Sequence, residues 1–145
     1  MLIANKKAAF NFELLEKLEA GIELFGFEVK SLRQKQGSLE GAYVIVRGKE
    51  AFLVNSYIPA YQPKNVEKGY DERRNRKLLV TKKEIETLAA SETKKGLTIV
   101  PISVYNKGRK IKVEIAIARG KKKFDKRETI KKRDVERDMR REMKG

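Results

Sequence analysis

With 145 residues, 40% of them hydrophobic, the chain suits one compact domain with a small core and an extension. Its 35 Lys and Arg against 20 Asp and Glu give a formal net charge of +15, a self-repelling surplus that calls for a polyanionic partner: RNA, DNA or an anionic membrane. The absence of Cys and His excludes disulfides, Cys/His zinc sites and imidazole catalysis, leaving only carboxylates and lysines to an enzyme.

In chain order, residues 8–12 read as a short strand. Residues 12–18 read as a helix, with Leu14, Leu15 and Leu18 at 3–4 spacing and Gly21 as its stop. Residues 22–29 read as a strand interrupted by Gly26, and 31–36 as a short helix closed by Gly37. A hairpin spans 43–54 with Gly48-Lys49 at its bend. The polar stretch 61–76 is long for a loop, and its YDERRNRK end fits an ordered or a mobile basic segment equally well.

Residues 77–80 form a further short strand. The sequence then predicts a helix over 81–94, where Thr81 and Glu84 have capping-box spacing and Ile85, Leu88 and Ala89 form one apolar stripe that Gly96 follows. The best-defined pair is 97–105 with 110–118. Ile111, Val113, Ile115 and Ile117 alternate with Lys112, Glu114, Ala116 and Ala118, and Asn106-Lys107-Gly108-Arg109 supplies the turn. Pro101 cannot donate to a ladder, which places it at an edge or a bulge. Several short strands, glycine turns and about three flanking helices predict a mainly β protein, a small closed antiparallel β-barrel over 1–120. An OB-type and an SH3-like barrel fit the pattern equally.

Composition shifts at Gly120. From Arg119 onward, 13 Lys or Arg face six Asp or Glu, and the apolar residues are too sparse for a core. Glu128–Lys132 and Glu136–Arg140 are i,i+4 pairs in the favourable orientation, each worth a few tenths of a kcal/mol. An isolated helix of that length is marginal in water. Residues 121–145 are therefore expected to be a basic tail, disordered when free and helical against phosphates. No apolar run reaches the roughly 18 residues of a membrane span, the N-terminal MLIANKKAAF has no signal-peptide core, and the tail lacks a continuous apolar face. A cytoplasmic, nucleic-acid-binding protein is the expectation, with no cofactor and no catalytic site.

Ordered short motifs carry a more specific resemblance. Asn5-Lys6-Lys7-Ala8, Glu19-Ala20-Gly21 and Gly26-Phe27-Glu28-Val29-Lys30-Ser31-Leu32-Arg33 are followed by Ala51-Phe52-Leu53. Asp71, Arg73 and Arg76-Lys77-Leu78-Leu79 come next, then Gly96, Thr98 and Val100, then Ala118-Arg119-Gly120-Lys121-Lys122 and Asp125-Lys126-Arg127. In order and spacing this resembles the small protein B family, the SsrA-binding proteins. The resemblance implies an OB-type barrel that binds the tRNA-like domain of transfer-messenger RNA and delivers it, with elongation factor Tu, to stalled bacterial ribosomes for trans-translation. It implies that the body stands in for part of a tRNA while the tail occupies the empty mRNA path and decoding site as a helix. A general rRNA-binding or ribosomal protein is the alternative that charge and tail would also fit.

The resemblance places Glu19, Leu79 and Lys112 on the RNA surface of the barrel, and adds Lys6, Lys7, Lys30, Arg33, Arg73, Arg76 and Lys77 as basic residues within matched motifs. It assigns Gly120, Lys121, Lys122, Phe124, Asp125, Lys126 and Arg127 to the ribosome. Phe124 stands where an aromatic residue or His varies in the family; it can stack on a nucleobase but cannot donate a hydrogen bond. Read on the residues alone, Glu19 is also a solvated helix-end carboxylate and Lys112 an exposed strand lysine. Leu79, contiguous with Leu78 and Val80, fits the core as well as an RNA-facing position. Glu28 reads as structural.

Overall fold

The computed structural model describes residues 1–61 and 69–121. The order is β1 (Ile3–Ala4), α1 (Ala8–Asn11), β2 (Phe12–Ile22), α2 (Gly26–Arg33), β3 (Tyr43–Arg47), β4 (Glu50–Val54), β5 (Arg76–Leu79), α3 (Lys82–Glu92), β6 (Leu97–Lys107) and β7 (Lys110–Gly120). All seven strands belong to one antiparallel sheet in the order β1-β6-β7-β2-β5-β4-β3. The expected closure is absent. β1 and β3 are the edges of the order, and β3 lies near β6 without pairing to it, Val44 and Val46 sharing one core cluster with Ile99 and Val104. The sheet thus curls around its core as an open structure. The described part of the protein is mainly β with three helices, as expected.

Two hairpins form as their alternation dictates. In β3–β4 the buried residues Val44, Val46, Ala51 and Leu53 lie at alternate positions, and Gly48 takes φ +63° at the bend. In β6–β7, Ile111, Val113, Ile115 and Ile117 are buried, and the ladder shifts register between Pro101 and Ser103, the bulge that a proline requires.

The helix α3 is capped as its sequence specifies. The Glu84 amide donates to Thr81 Oγ1 at 3.2 Å, and the Thr81 amide donates to Glu84 Oε1 at 2.9 Å. Leu88 is fully buried beneath it. Thr81→Ala is expected to destabilise the fold by about 1 kcal/mol, read from the urea midpoint; an unshifted midpoint would show that α3 is held by packing alone.

Three local expectations are corrected. Residues 8–12 contain the short helix α1 instead of a strand. Residues 12–18 are not a helix but the first part of β2, whose pairing with β7 shifts between Leu14 and Glu16. Leu15 is the extra, exposed residue of that bulge, and it produces an apolar spacing that imitates a helix. Residues 22–29 are not one strand: β2 ends at Ile22 and α2 begins at Gly26. Glu28 supplies the start signal by accepting the Phe25 amide at 2.7 Å from inside the first turn. The helix expected over 31–36 is the end of α2, which stops at Arg33. Lys35 turns the chain at φ +59°. At Gly37 (φ +139°) a Cβ would lie 2.9 Å from the Tyr57 carbonyl, so only glycine fits there.

The polar stretch before β5 is ordered where it is described, because it is wired to one buried carboxylate. Glu28, at 0% exposure, accepts from Tyr70 OH (2.8 Å), Arg74 Nε (3.1 Å) and Arg76 Nε (2.8 Å). Arg76, also at 0% exposure, donates further to the carbonyls of Ser56, Glu72 and Arg74, to Ser56 Oγ and to Tyr70 OH. The guanidinium is saturated and the network lies inside the protein. Burial pushes the Glu28 carboxyl up, but the hydrogen bonds from Arg74, Phe25 and Tyr70 and the Arg76 charge outweigh it, and the net direction is down. Glu28 is structural, as expected. Among the described residues no helix is long and apolar enough to cross a membrane.

Candidate nucleic-acid interface

Residues directly opposite across antiparallel strands share a face. Tyr105 on β6 pairs with Lys112 on β7, Lys112 with Gly21 on β2, and Gly21 with Leu79 on β5. The ladder thus lines up Tyr105, Lys112, Gly21 and Leu79 in one row across four strands, with Glu19 two residues along β2 on the same face. The buried residues Val113, Ala20 and Leu78 have the opposite parity, so the row faces outward from the core. This brings together the three residues assigned to the RNA surface, although they lie far apart in sequence. The groove they line is bordered by Lys49, Lys77, Thr81 and Ile85.

Leu79 is 51% exposed and Leu78 is buried, which decides between its two placements in favour of the surface. Gly21 has no positive φ; its role is steric. A Cβ there would come within 3.1 Å of Leu79 Cβ, so glycine lets Leu79 lean across the row. Glu19 is on a strand, not at a helix end. Its Oε2 accepts from Tyr105 OH, and its Oε1 accepts from Lys107 Nζ at 2.9 Å. The Tyr105 hydrogen bond, then that of Lys107, hold its carboxyl below the usual range, and the Lys112 charge acts in the same direction. Burial first, then the contact with Glu19, push the Tyr105 phenol up to about 12, so it remains a donor at neutral pH. Tyr105, Lys107 and Gly21 were not singled out as RNA contacts in the sequence, because only the cross-strand register reveals them.

The other basic residues fall into three sets and one exception. Lys30 and Arg33 are exposed on α2; Lys30 Nζ lies 5.9 Å from the centroid of Tyr61, and Arg33 donates to the Arg109 carbonyl at 3.2 Å. Arg33 thereby touches the same β6–β7 turn that sends Lys107 to Glu19. Lys6 and Lys7 are exposed between β1 and α1, and Lys7 makes a 2.8 Å ion pair with Glu40. That pair is fully solvated, so a phosphate can displace it readily. Lys7, Asn11, Gly120 and Lys121 line one groove at the end of β7, where the Lys121 amide donates to the Asn11 carbonyl at 2.9 Å. Arg73 donates to the Asn55 carbonyl at 3.2 Å and covers the Tyr57 ring, and Lys77 pairs with Glu50 at 3.1 Å. Arg76 is the exception. It shares the inward parity of Leu78 and is buried against Glu28, so its assignment as an RNA contact is corrected to a structural one. Lys122, Phe124, Asp125, Lys126 and Arg127 lie outside the described residues.

Comparison with known proteins gives a consistent result. The profile of the SmpB protein family matches residues 2–145. The SsrA-binding protein of Mesoplasma florum is 51% identical over 137 residues, 94% of this chain and 92% of the relative. That of Parvibaculum lavamentivorans is 53% identical over 143 residues, 97% and 86% of the two chains. A solved chain presented under the words "tmRNA-SmpB: a journey to the center of the bacterial ribosome" has a TM-score of 0.70 at 41% identity, covering 83% of this chain and 85% of that one. A profile match across essentially the whole length, on a fold that gathers the motif residues Glu19, Gly21 and Leu79 beside Lys112 on one face, shows that the chain belongs to the SmpB protein family.

Proposed function

We propose that the protein binds the tRNA-like domain of transfer-messenger RNA and brings it to stalled ribosomes, acting in trans-translation as a binding factor and not as an enzyme. The observation that carries this reading is the outward row of Tyr105, Lys112, Gly21 and Leu79 beside Glu19, in a chain whose relatives are SsrA-binding proteins. Each member supplies one element of RNA recognition. Lys112 offers a point charge to a phosphate. The exposed leucine offers an apolar surface to an unstacked base, and the carboxylate accepts from a base edge or a 2′-hydroxyl. In this reading the body, residues 1–120, holds the RNA. Residues 121–145 follow the empty mRNA path to the decoding site, with Phe124 stacking there and Lys121, Lys122, Lys126 and Arg127 meeting rRNA phosphates. Elongation factor Tu joins through the RNA complex, and the work takes place in the cytoplasm.

The test is selectivity at matched salt: transfer-messenger RNA should be bound in preference to ribosomal RNA fragments. Equal affinity for both would favour a general rRNA-binding protein. If about 6–10 phosphates are neutralised, affinity should fall by roughly 10³–10⁵ between about 50 and 200 mM salt. Lys112→Ala should weaken binding and lower the salt slope by about one; an unchanged slope would remove Lys112 from the phosphate contacts.

A further inference from the structure

Glu19 presents an acid to a polyanion on the same face where Lys112 attracts it. Two neighbours offset that charge and fix its direction. Tyr105 OH donates to Oε2 and Lys107 Nζ to Oε1, one donor on each oxygen. An ionised carboxylate accepts about four hydrogen bonds and donates none, so one lone pair on each oxygen remains open to a partner. Phosphate oxygens cannot fill these sites, because they too only accept. The donors that RNA possesses are the 2′-hydroxyl and the N–H groups of its bases. Lys112 makes no hydrogen bond to Glu19 among those found for that carboxylate, and it is left to meet a phosphate.

Resting on the RNA-binding reading above, we propose that Tyr105 and Lys107 are positioning residues that hold the Glu19 carboxylate as a hydrogen-bond acceptor for a donor group of the RNA, a 2′-hydroxyl or a base amino group. The β6–β7 turn is thus part of the recognition surface, though neither side chain need touch the RNA. Tyr105 sits on the face through its register with Lys112, and Lys107 reaches the carboxylate from the end of the same strand. Together they place Glu19 at the side of the glycine floor, facing what Leu79 and Lys112 bind.

The experiment titrates the full chain against a transcribed tRNA-like domain of transfer-messenger RNA over a range of salt. Tyr105→Phe keeps the ring and removes the hydroxyl. It should weaken binding about tenfold, as expected for one hydrogen bond to a charged group, with an unchanged salt slope and an unchanged thermal midpoint. The Glu19→Gln/Tyr105→Phe double variant should bind no more weakly than Glu19→Gln alone, because Tyr105 acts through Glu19. Substituting deoxyribonucleotides in the RNA divides the two donor sources. If the Glu19 dependence disappears, the donor is a 2′-hydroxyl; if it persists, the donor is a base amino group. Wild-type affinity in Tyr105→Phe, losses that multiply in the double variant, or a lowered salt slope would each overturn the proposal. Failure of the unmodified protein to bind this RNA would instead overturn the functional reading on which it rests.

Discussion

Replacing Arg76 with alanine is expected to cost about 3–5 kcal/mol of folding stability, as removing one partner of a buried ion pair generally does. The variant leaves the fully buried Glu28 with Arg74, Tyr70 and the Phe25 amide, removes the guanidinium donors from the Ser56 carbonyl and hydroxyl, and leaves the Glu72 carbonyl with the Ile58 amide alone. Urea unfolding read by circular dichroism measures the loss. A wild-type midpoint would show that the network contributes nothing net. Lys in place of Arg76 should recover only part of the stability, because three rotating donors cannot reproduce the planar fork that reaches Glu28, Ser56 and Tyr70 together. The pH dependence follows from Glu28, whose carboxyl is held below its ordinary value. Its contribution is fully present above the unfolded value of about 4.3 and is lost as pH falls through the lower folded value. Glu28→Gln should flatten that acid limb while lowering stability at neutral pH. For RNA binding the distinction is sharp: folded Arg76→Ala protein should keep its salt slope, whereas loss of a true phosphate contact lowers it by about one.

That arginine also shows where sequence reading reaches its limit. In DERRNRK, three arginines look alike, and burial of one depends on a partner 48 positions away. A signal was nevertheless present. Arg76 and Leu78 have one parity and Lys77 and Leu79 the other, so identifying Leu78 as core would have placed Arg76 inside and Leu79 outside in one step. The hairpins and α3 were legible because their determinants are local: alternation around a glycine bend, and a capping box before an apolar stripe. β2 was hidden by its bulge at Leu15. α2 was hidden because its N-cap is Phe25, which has no side-chain acceptor, and the cap comes from Glu28 inside the first turn. Failure of the sheet to close could not be read either, since it depends on strands β1 and β3 at opposite edges of the order.

The candidate site divides in the same way. Glu19 and Leu79 entered through ordered motifs and Lys112 through a position implied by the family resemblance, which mark that residues matter without giving their relative positions. Their assembly into one face needs β2 to pair with β5 on one side and β7 on the other, both non-sequential neighbours. Tyr105 was legible only as one arm of a hairpin until the register placed it beside Lys112.

Truncation after Gly120 is expected to separate RNA binding from rescue. Among the described residues the core lies within β1 to β7, and the β2–β7 ladder ends at Gly120 opposite Phe12; truncation also removes the Lys121 amide bond to the Asn11 carbonyl at the rim, so the unfolding midpoint of the truncated body should lie close to that of the full chain. The outward row lies wholly within the retained strands, so affinity for the tRNA-like domain should largely persist. Residues 121–145 carry 12 Lys or Arg against six Asp or Glu, and most of the +15 charge therefore remains on the body. Any cost to binding should appear mainly as a smaller salt slope, the signature of lost non-specific phosphate contacts. Rescue should disappear, measured as loss of peptide tagging on ribosomes stalled on an mRNA without a stop codon. On the proposed reading, the body alone would lack the segment that occupies the empty mRNA path. Phe124→Ala in the full chain should reproduce part of that defect, since one aromatic stacking contact contributes about 1–3 kcal/mol. Tagging that survives truncation would make the tail dispensable for rescue, and RNA affinity that collapses with it would place recognition in the tail; either result would remove the division between the two segments.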